Sequence, residues 1–218
     1  MRRLALFDLD GTLTRGDTFR QFVPRLLARH PARWPRALLL PPPVLAYALR
    51  LIGRGALKGA VLRRLFRGLP RATVEGYARR YAAAVVPAQM YPEAVAVLRA
   101  HLAAGDHVVV MSASPDLYVP EIGRLLDVHE IHCTRIRWRG ERLDGDLDGP
   151  NLRDHQKALM LAALRAAHPG LPVIAYGNSA ADLEHMALCE EGVYVNGSAR
   201  MRRRLAALHP QIRVVQWR

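Results

Sequence analysis

Four apolar residues, Leu4 to Phe7, run straight into Asp8-Leu9-Asp10-Gly11-Thr12, and this junction constrains the chain more than any other feature. A short apolar run that stops at a polar, glycine-containing cluster reads as a buried strand entering a tight loop. Asp8 and Asp10 stand two residues apart, so both carboxylates leave the strand on the same side.

The rest of the chain supplies the sheet that such a strand needs. After Pro92 the pattern alternates. A helix is expected from Glu93 to Ala104, stopped by Gly105, then a buried strand from His107 to Met111 and a helix from Asp116 to Leu126. Ile131 to Trp138 and Arg142 to Leu147, separated by Gly140, read as a β-hairpin. A helix from Asp154 to Ala167 follows, then strand Val173 to Tyr176, helix Ala180 to Leu188, strand Val193 to Val195, helix Ala199 to Leu208 and strand Arg213 to Gln216. Strands alternating with helices imply an α/β fold, with a parallel sheet covered on both faces. Residues 15–86 differ: they carry helical apolar spacing, many arginines, and breaks at Pro24, Pro31, Pro35, Pro41 to Pro43 and Pro70. They read as a helical insertion in a core made of residues 1–14 and 87–218, and a chain of 218 residues accommodates both.

Ligands of open parallel sheets bind at the carboxyl ends of the strands. Three of those ends are polar here: Asp8, Asp10 and Thr12; Ser112; and Gly177-Asn178-Ser179 with Asp182 beyond. Lys157 lies on the helix just upstream of the third. Paired carboxylates with a lysine and hydroxyls suit phosphoryl transfer, where positioning and charge neutralisation do most of the work. Of 32 basic residues only Lys58 and Lys157 are lysine. A lysine at position 157, in a chain that otherwise chooses arginine, suggests that a compact ammonium is required there.

In order and spacing these segments resemble the motifs of the haloacid dehalogenase superfamily across nearly the whole chain. Asp8-Leu9-Asp10-Gly11-Thr12-Leu13-Thr14 is similar to the first motif, Val108–Met111 with Ser112 to the second, Lys157 to the third, and Gly177-Asn178-Ser179-Ala180-Ala181-Asp182 to the fourth. The insertion resembles the helical cap of the subclass (IB) that includes phosphoserine phosphatase. The resemblance implies a Rossmann-like core and a phosphatase acting through an aspartyl-phosphate. Asp8 would be the nucleophile and Asp10 the general acid and base, with Lys157 neutralising charge. Thr12, Ser112 and the adjacent Ala113 would surround the phosphate. Mg²⁺ would be held by Asp8, Asp10, Asn178 and Asp182, a hard cation on oxygen ligands. The fourth motif usually opens with Asp; Asn178 keeps an oxygen but contributes no charge, so weaker metal affinity is expected.

The cap holds the substrate choice. In phosphoserine phosphatases a Glu and a cap Arg recognise the amino acid. The Glu position falls on Asp17, while the Arg position falls near Ala60, with Lys58 and Arg63 close by. The proline-interrupted apolar stretch and basic helices resemble the branch that includes a bacterial phosphatidylglycerophosphatase, which points to a lipid phosphate; phosphoserine or another small metabolite is the alternative. The formal charge of +13 favours anionic partners, including an anionic membrane touched peripherally. Nucleic acid is not the expected partner, since the cluster Arg200, Arg202, Arg203 and Arg204 has no interleaved aromatics. A binder of anionic lipid or nucleic acid with a vestigial site is the alternative of another kind. The residues set no oligomeric state.

Two cysteines without metal spacing suit a reducing cytosol, and the apolar run after Met1-Arg2-Arg3 is too short for an export signal, so a cytoplasmic location is expected. Asp144 to Gly149 imitates an EF-hand start, but position twelve is His155 and the flanks read as hairpin. His129, His132 and Cys133 lack a fourth zinc ligand and read as surface residues. His155 reads as a solvated helix residue. Ala37 to Leu49, thirteen uncharged residues, would span roughly 20 Å as a helix, too short for a bilayer. Packing inside the cap is its expected place, and lying at a membrane interface the alternative.

Overall fold

The structure is a computed structural model that describes residues 2–218; Met1, the first residue of the expected core, lies outside them. In chain order the strands are β1 (Leu4–Phe7), β2 (His107–Pro115), β3 (Glu130–Thr134), β4 (Ile136–Arg139), β5 (Arg142–Leu147), β6 (Val173–Gly177), β7 (Glu191–Val195) and β8 (Ile212–Val215). Six of them form one parallel sheet in the order β3-β2-β1-β6-β7-β8, and β4 pairs with β5 as an antiparallel hairpin. The chain builds outward from β1 in one direction through β2 and β3, then in the other through β6, β7 and β8. The order therefore reverses at β1, the place where such sheets open a crevice at the strand ends.

Alternation along each strand divides the core in two. Ala5, Phe7, Val108, Val110, Ile174 and Tyr176 face one layer, and Leu4, Leu6, Val109, Met111, Val173 and Ala175 face the other. The second face is covered by Leu161 and Leu164 of α7 (His155–Ala167), Met186 of α8 (Ala180–Met186) and Leu205 of α9 (Ala199–Leu208). The first face is covered by α5 (Pro92–Ala103) and α6 (Val119–Leu125), with the helices inserted between β1 and β2 continuing that layer.

Those inserted helices are α1 (Thr18–Ala28), a 3-10 helix (Pro31–Leu39), α2 (Pro41–Ala48), α3 (Arg54–Phe66) and α4 (Arg71–Gln89). Pro24 does not break α1, and α4 runs through the boundary expected at residue 86 with Pro87 inside it. The chain leaves and re-enters the core side by side: Arg15 N donates to Gln89 O at 2.7 Å and Tyr91 N to Leu13 O at 2.9 Å. An aromatic cluster knits the base, where Phe22 of α1 stacks on Tyr118 at 4.5 Å and meets Tyr81 of α4 edge-on at 5.2 Å. On the other side α3 lies against β5. Gly145 makes that approach possible, because its φ is +96° and a Cβ there would lie 2.6 Å from the backbone N of Arg63.

Two expectations are corrected. The strand expected from Ile131 to Trp138 is two strands, divided at Arg135: β3 joins the main sheet and only β4 belongs to the hairpin. Apolar residues on both sides of the division hid the change of partner. The stretch Ala37 to Leu49 also does not pack inside. Pro43 is buried, but Leu38 is 80% and Leu45 60% exposed.

Candidate active site

Register places the three polar strand ends together. Phe7 of β1 pairs with Val110 on one side and with Tyr176 on the other. Asp8, Ser112 and Asn178 therefore leave the sheet within one or two residues of the same line. Asp8 N donates to Tyr176 O at 3.0 Å, so β1 keeps its ladder up to that residue.

Lys157, 2% exposed in the first turn of α7, donates to Asp8 Oδ1 at 2.6 Å and to Asp182 Oδ1 at 2.7 Å. Burial would raise Asp182, but Lys157 and Ser179 overcome it and hold the carboxyl at about 2. Asp182 Oδ2 accepts from Ser179 Oγ at 2.7 Å and Ser179 N at 3.0 Å, closing a capping box at the start of α8. Each of its oxygens is thus occupied by the protein, and it is 1% exposed. Asn178 instead presents its side-chain oxygen near Asp8: Thr12 Oγ1 lies 3.1 Å from Asp8 Oδ2 and 3.4 Å from Asn178 Oδ1. Burial raises Asp8 to about 7, against the pull of Lys157. The charges of Asp182 and Asp10 add to the rise that burial causes, so one ammonium serves two buried carboxylates.

Gly11 admits this packing. Its φ is +80°, and a Cβ there would fall 2.0 Å from Asn178 Nδ2. Any other residue would drive motif-one loop and Asn178 apart.

Asp10 faces a different set of partners. Oδ1 accepts from Thr18 N and Thr18 Oγ1, both at 2.6 Å, and Oδ2 accepts from Ser114 Oγ at 2.5 Å. Burial nonetheless raises its pKa above the usual carboxylate value, with Ser114 and Thr18 opposing. Thr18 is held in turn: its hydroxyl lies 2.9 Å from Tyr118 Oη, and Tyr81 Oη donates to its carbonyl at 2.7 Å. Ser112, fully buried, accepts from Ser114 N at 3.0 Å. Thr18, Ser114, Tyr118 and Tyr81 are absent from the residues expected from sequence. Isolated hydroxyls carry no spacing signal, and only the fold brings them to Asp10.

Both lysines of the chain reach this end of the sheet. Lys58, buried on α3, donates to the carbonyl of Ala113 and, at 2.8 Å, to Asn151 Oδ1. Burial lowers it to about 8 while Asp10 and Asp17 pull it up. Arg63 points elsewhere, to Asp146 at 2.6 Å in the hairpin. Asp17 is exposed and its Oδ1 caps α1 through Arg20 N at 2.9 Å. His155 is exposed and meets Glu184 at 2.8 Å. The Asp144 segment lies in the hairpin, as expected.

The chain has relatives among known proteins. It is 37% identical over 193 residues to protein CicA of Caulobacter vibrioides, covering 88% of this chain and 85% of that protein. A protein of unknown function from Bordetella pertussis Tohama I superposes with a TM-score of 0.82 at 22% identity, covering 99% and 98% of the two chains. A phosphoserine phosphatase captured as a phospho-aspartyl intermediate analogue superposes with a TM-score of 0.63 at 17% identity, over 93% of this chain and 90% of that one, and so shares the fold. Residues 5–187 match the family model of haloacid dehalogenase-like hydrolases, a span that begins in β1 and takes in Asp8, Lys157 and Asp182. With its reversed strand order at β1 and its buried Asp8–Lys157–Asp182 cluster, the chain belongs to the haloacid dehalogenase-like hydrolase family.

Proposed function

We propose that the protein is a Mg²⁺-dependent phosphomonoesterase that works through an aspartyl-phosphate on Asp8. The observation that carries this is the pairing of two differently held carboxylates on one loop, Asp8 on a buried lysine and Asp10 on hydroxyls. An Asp8 carboxylate oxygen attacks phosphorus, and the bond to the departing alcohol breaks as Asp10 gives that oxygen its proton. Asp10 then takes a proton from water, which attacks the same phosphorus and frees Asp8 with release of phosphate. The raised pKa of Asp10 suits a group that must carry a proton. Lys157 offsets the charge that gathers at Asp8, and Asp182 fixes the ammonium. Ser112 and the backbone near Ala113 line the phosphate position, while Thr12 braces Asp8.

The oxygen donors here fit Mg²⁺. Asp8 Oδ2 and Asn178 Oδ1 flank one hydroxyl, and the buried cluster carries one negative charge in excess. Asp8, the backbone carbonyl of Asp10 and Asn178 would hold the ion, which when bound supplies the positive charge that lets a phosphate dianion approach Asp8. Asp182, committed to Lys157 and Ser179, supports the site from behind. The inserted helices α1 to α4 act as its cap, and the parallel sheet with its flanking helices as its core.

A lipid phosphate is the substrate favoured by the cap surface. Trp34, Leu38, Leu45, Leu49 and Leu51 are all more than half exposed, and Arg29, Arg50 and Arg54 of the same inserted segment are exposed as well. Exposed apolar side chains and arginines in one segment suit the boundary of an anionic membrane, peripherally and on its cytoplasmic face. Among the described residues no helix is long and apolar enough to cross a membrane. A small phosphorylated metabolite such as phosphoserine is the second candidate, supported by the fold shared with phosphoserine phosphatase.

Release of nitrophenol from an aryl phosphate with Mg²⁺ tests the chemistry, and an Asp8→Asn variant must lose it by about 10⁴-fold. Equal rates in the two proteins would remove the phosphatase proposal. A panel of phosphatidylglycerophosphate in vesicles, phosphoserine and glycerol phosphate then tests the substrate; clear preference for the soluble members rejects the lipid.

A further inference from the structure

The opposite end of the sheet carries a second constellation that phosphoryl transfer does not use. Three of the nine histidines meet one carboxylate, and a fourth stacks beside them. His107 Nε2 and His168 Nε2 each lie 2.7 Å from Glu130 Oε1, and His132 Nε2 lies 3.1 Å from Oε2. The ring centroids of His107 and His168 are 4.2 Å apart, and His129 stacks on His107 at 4.8 Å. His129 is itself turned away, since its Nδ1 accepts the backbone N–H of Val108.

We propose that His107, Glu130 and His168 form a second divalent-metal site, of the zinc class, in which His132 steadies the carboxylate. The three ligand atoms already lie within 4.8 Å of one another. They come from three separate elements, the first residue of β2, the first of β3 and the residue that follows α7. A neighbouring pair on one helix brings ligands together by periodicity alone, whereas here the tertiary fold does so.

The choice of partner is informative in this chain. Thirty of its 32 basic residues are arginine, yet among the described residues Glu130 is met only by histidine. Arginine would serve a purely structural ion pair better, being always charged and bidentate. Histidine differs in offering a nitrogen lone pair when neutral. Two imidazoles and a carboxylate make the three-ligand, open-position arrangement that suits Zn²⁺ and its neighbours, and imidazole selects against Mg²⁺. Tetrahedral bonds of about 2.0 Å set ligand atoms about 3.3 Å apart, so the present contacts must open by roughly half an ångström. All three side chains are partly exposed, which leaves room for that movement and a path for the ion.

β2 carries Ser112 five residues beyond His107, so the proposed ion lies about 16 Å from the phosphoryl site. It would tie the end of α7 to the edge of the sheet, and α7 is the helix that positions Lys157.

Full-length protein stripped with chelator and dialysed is titrated with Zn²⁺ against a chromogenic chelator, with Mg²⁺ saturating throughout. One equivalent is expected to bind tighter than about 100 μM, and His168→Ala and Glu130→Gln each to weaken it at least tenfold. Cys133→Ser and Cys189→Ser leave it unchanged. Co²⁺ in place of Zn²⁺ gives visible absorption in the wild type that His168→Ala abolishes, and His168→Asn serves if the alanine variant does not fold. Binding weaker than that limit, or zinc that both variants retain, overturns the proposal. Aryl phosphate turnover is read separately, so loss of one activity does not decide the other.

Discussion

The carboxyl edge of the sheet and the inserted helices treat their side chains in opposite ways. At the sheet edge every carboxylate oxygen of Asp8, Asp10 and Asp182 has a partner within the protein, at 2.5 to 3.1 Å for the nearest. In the inserted helices Leu38 and Leu51 are 80% and 74% exposed and touch little. The first region resembles a machine part fixed by register, where three strands hold their ends level. The second is anchored at its base by Thr18, Tyr81 and Lys58 and left open on its far side. Positional demands differ: a reacting oxygen must be held within tenths of an ångström, whereas a surface that meets a fluid partner needs only composition and exposure.

The largest effect expected from breaking that contrast is at Lys157. Lys157→Met leaves Asp8 and Asp182 buried together without a cation. Removing one member of a buried pair costs about 3–5 kcal/mol of stability, and turnover of aryl phosphate should fall by about 10³-fold or more. Urea unfolding and steady-state kinetics measure the two. Loss of activity at unchanged stability would mean that the carboxylates are solvated after all.

A second effect follows from the raised pKa of Asp8. Its value of about 7 in the folded chain exceeds the unfolded 3.8, so between those limits the folded state binds more protons. Stability therefore falls as pH rises through that window, and the favourable contribution is fully present only below it. With chelator present, the difference in unfolding free energy between wild type and Asp8→Asn should change steadily from pH 4 to pH 7, and Mg²⁺ should shrink it. Asp182, held at about 2, contributes in the opposite direction and below that window. A flat difference curve would place the excess charge elsewhere.

How far these features were legible in the sequence follows the same divide. Asp8, Ser112 and Asn178 were readable because a parallel sheet fixes where strand ends go, and the register of Phe7 with Val110 and Tyr176 brings them level, while Lys157 stood out as one of two lysines among 32 basic residues. Thr18, Ser114 and Tyr118 were not, because a hydroxyl that grips Asp10 looks like any other hydroxyl in a sequence. His107 and His168, 61 positions apart by numbering, meet only through the fold. In the inserted helices, the proline-rich stretch from Ala37 to Leu49 has no clean period, so nothing in its spacing tells which side faces out. Its apolar content suggested burial, and the structure puts most of it on the surface.

Lys58 sharpens the comparison, since it belongs to the inserted helices yet behaves like the sheet edge. It is buried and bonded to Ala113 and Asn151, and burial lowers its pKa to about 8 although Asp10 and Asp17 lie close enough to pull it up. Lys58→Ala should lower kcat/KM for the preferred phosphomonoester by about 30-fold, mostly through KM, if it draws the anionic substrate under the cap. Aryl phosphate, with no group for the cap to recognise, should lose less. An equal loss on both substrates, carried by kcat, would assign Lys58 to holding the β2 loop.

The smallest expected effect on chemistry is the most informative about the cap. Leu38→Ser, Leu45→Ser and Leu51→Ser together remove apolar surface that is mostly exposed, so stability should change little. Sedimentation with vesicles containing anionic phosphatidylglycerol should show binding reduced roughly tenfold, since interfacial affinity scales with buried apolar area plus attraction between arginine and anionic lipid. Aryl phosphate turnover in solution should be unchanged, because none of the three leucines touches the Asp8 cluster. On vesicles of neutral lipid the wild type should bind more weakly, which isolates the contribution of Arg29, Arg50 and Arg54. If the triple variant instead binds vesicles as well as the wild type and loses turnover, the apolar strip is a part of the catalytic assembly, and the division between a fixed sheet edge and an open outer face no longer holds.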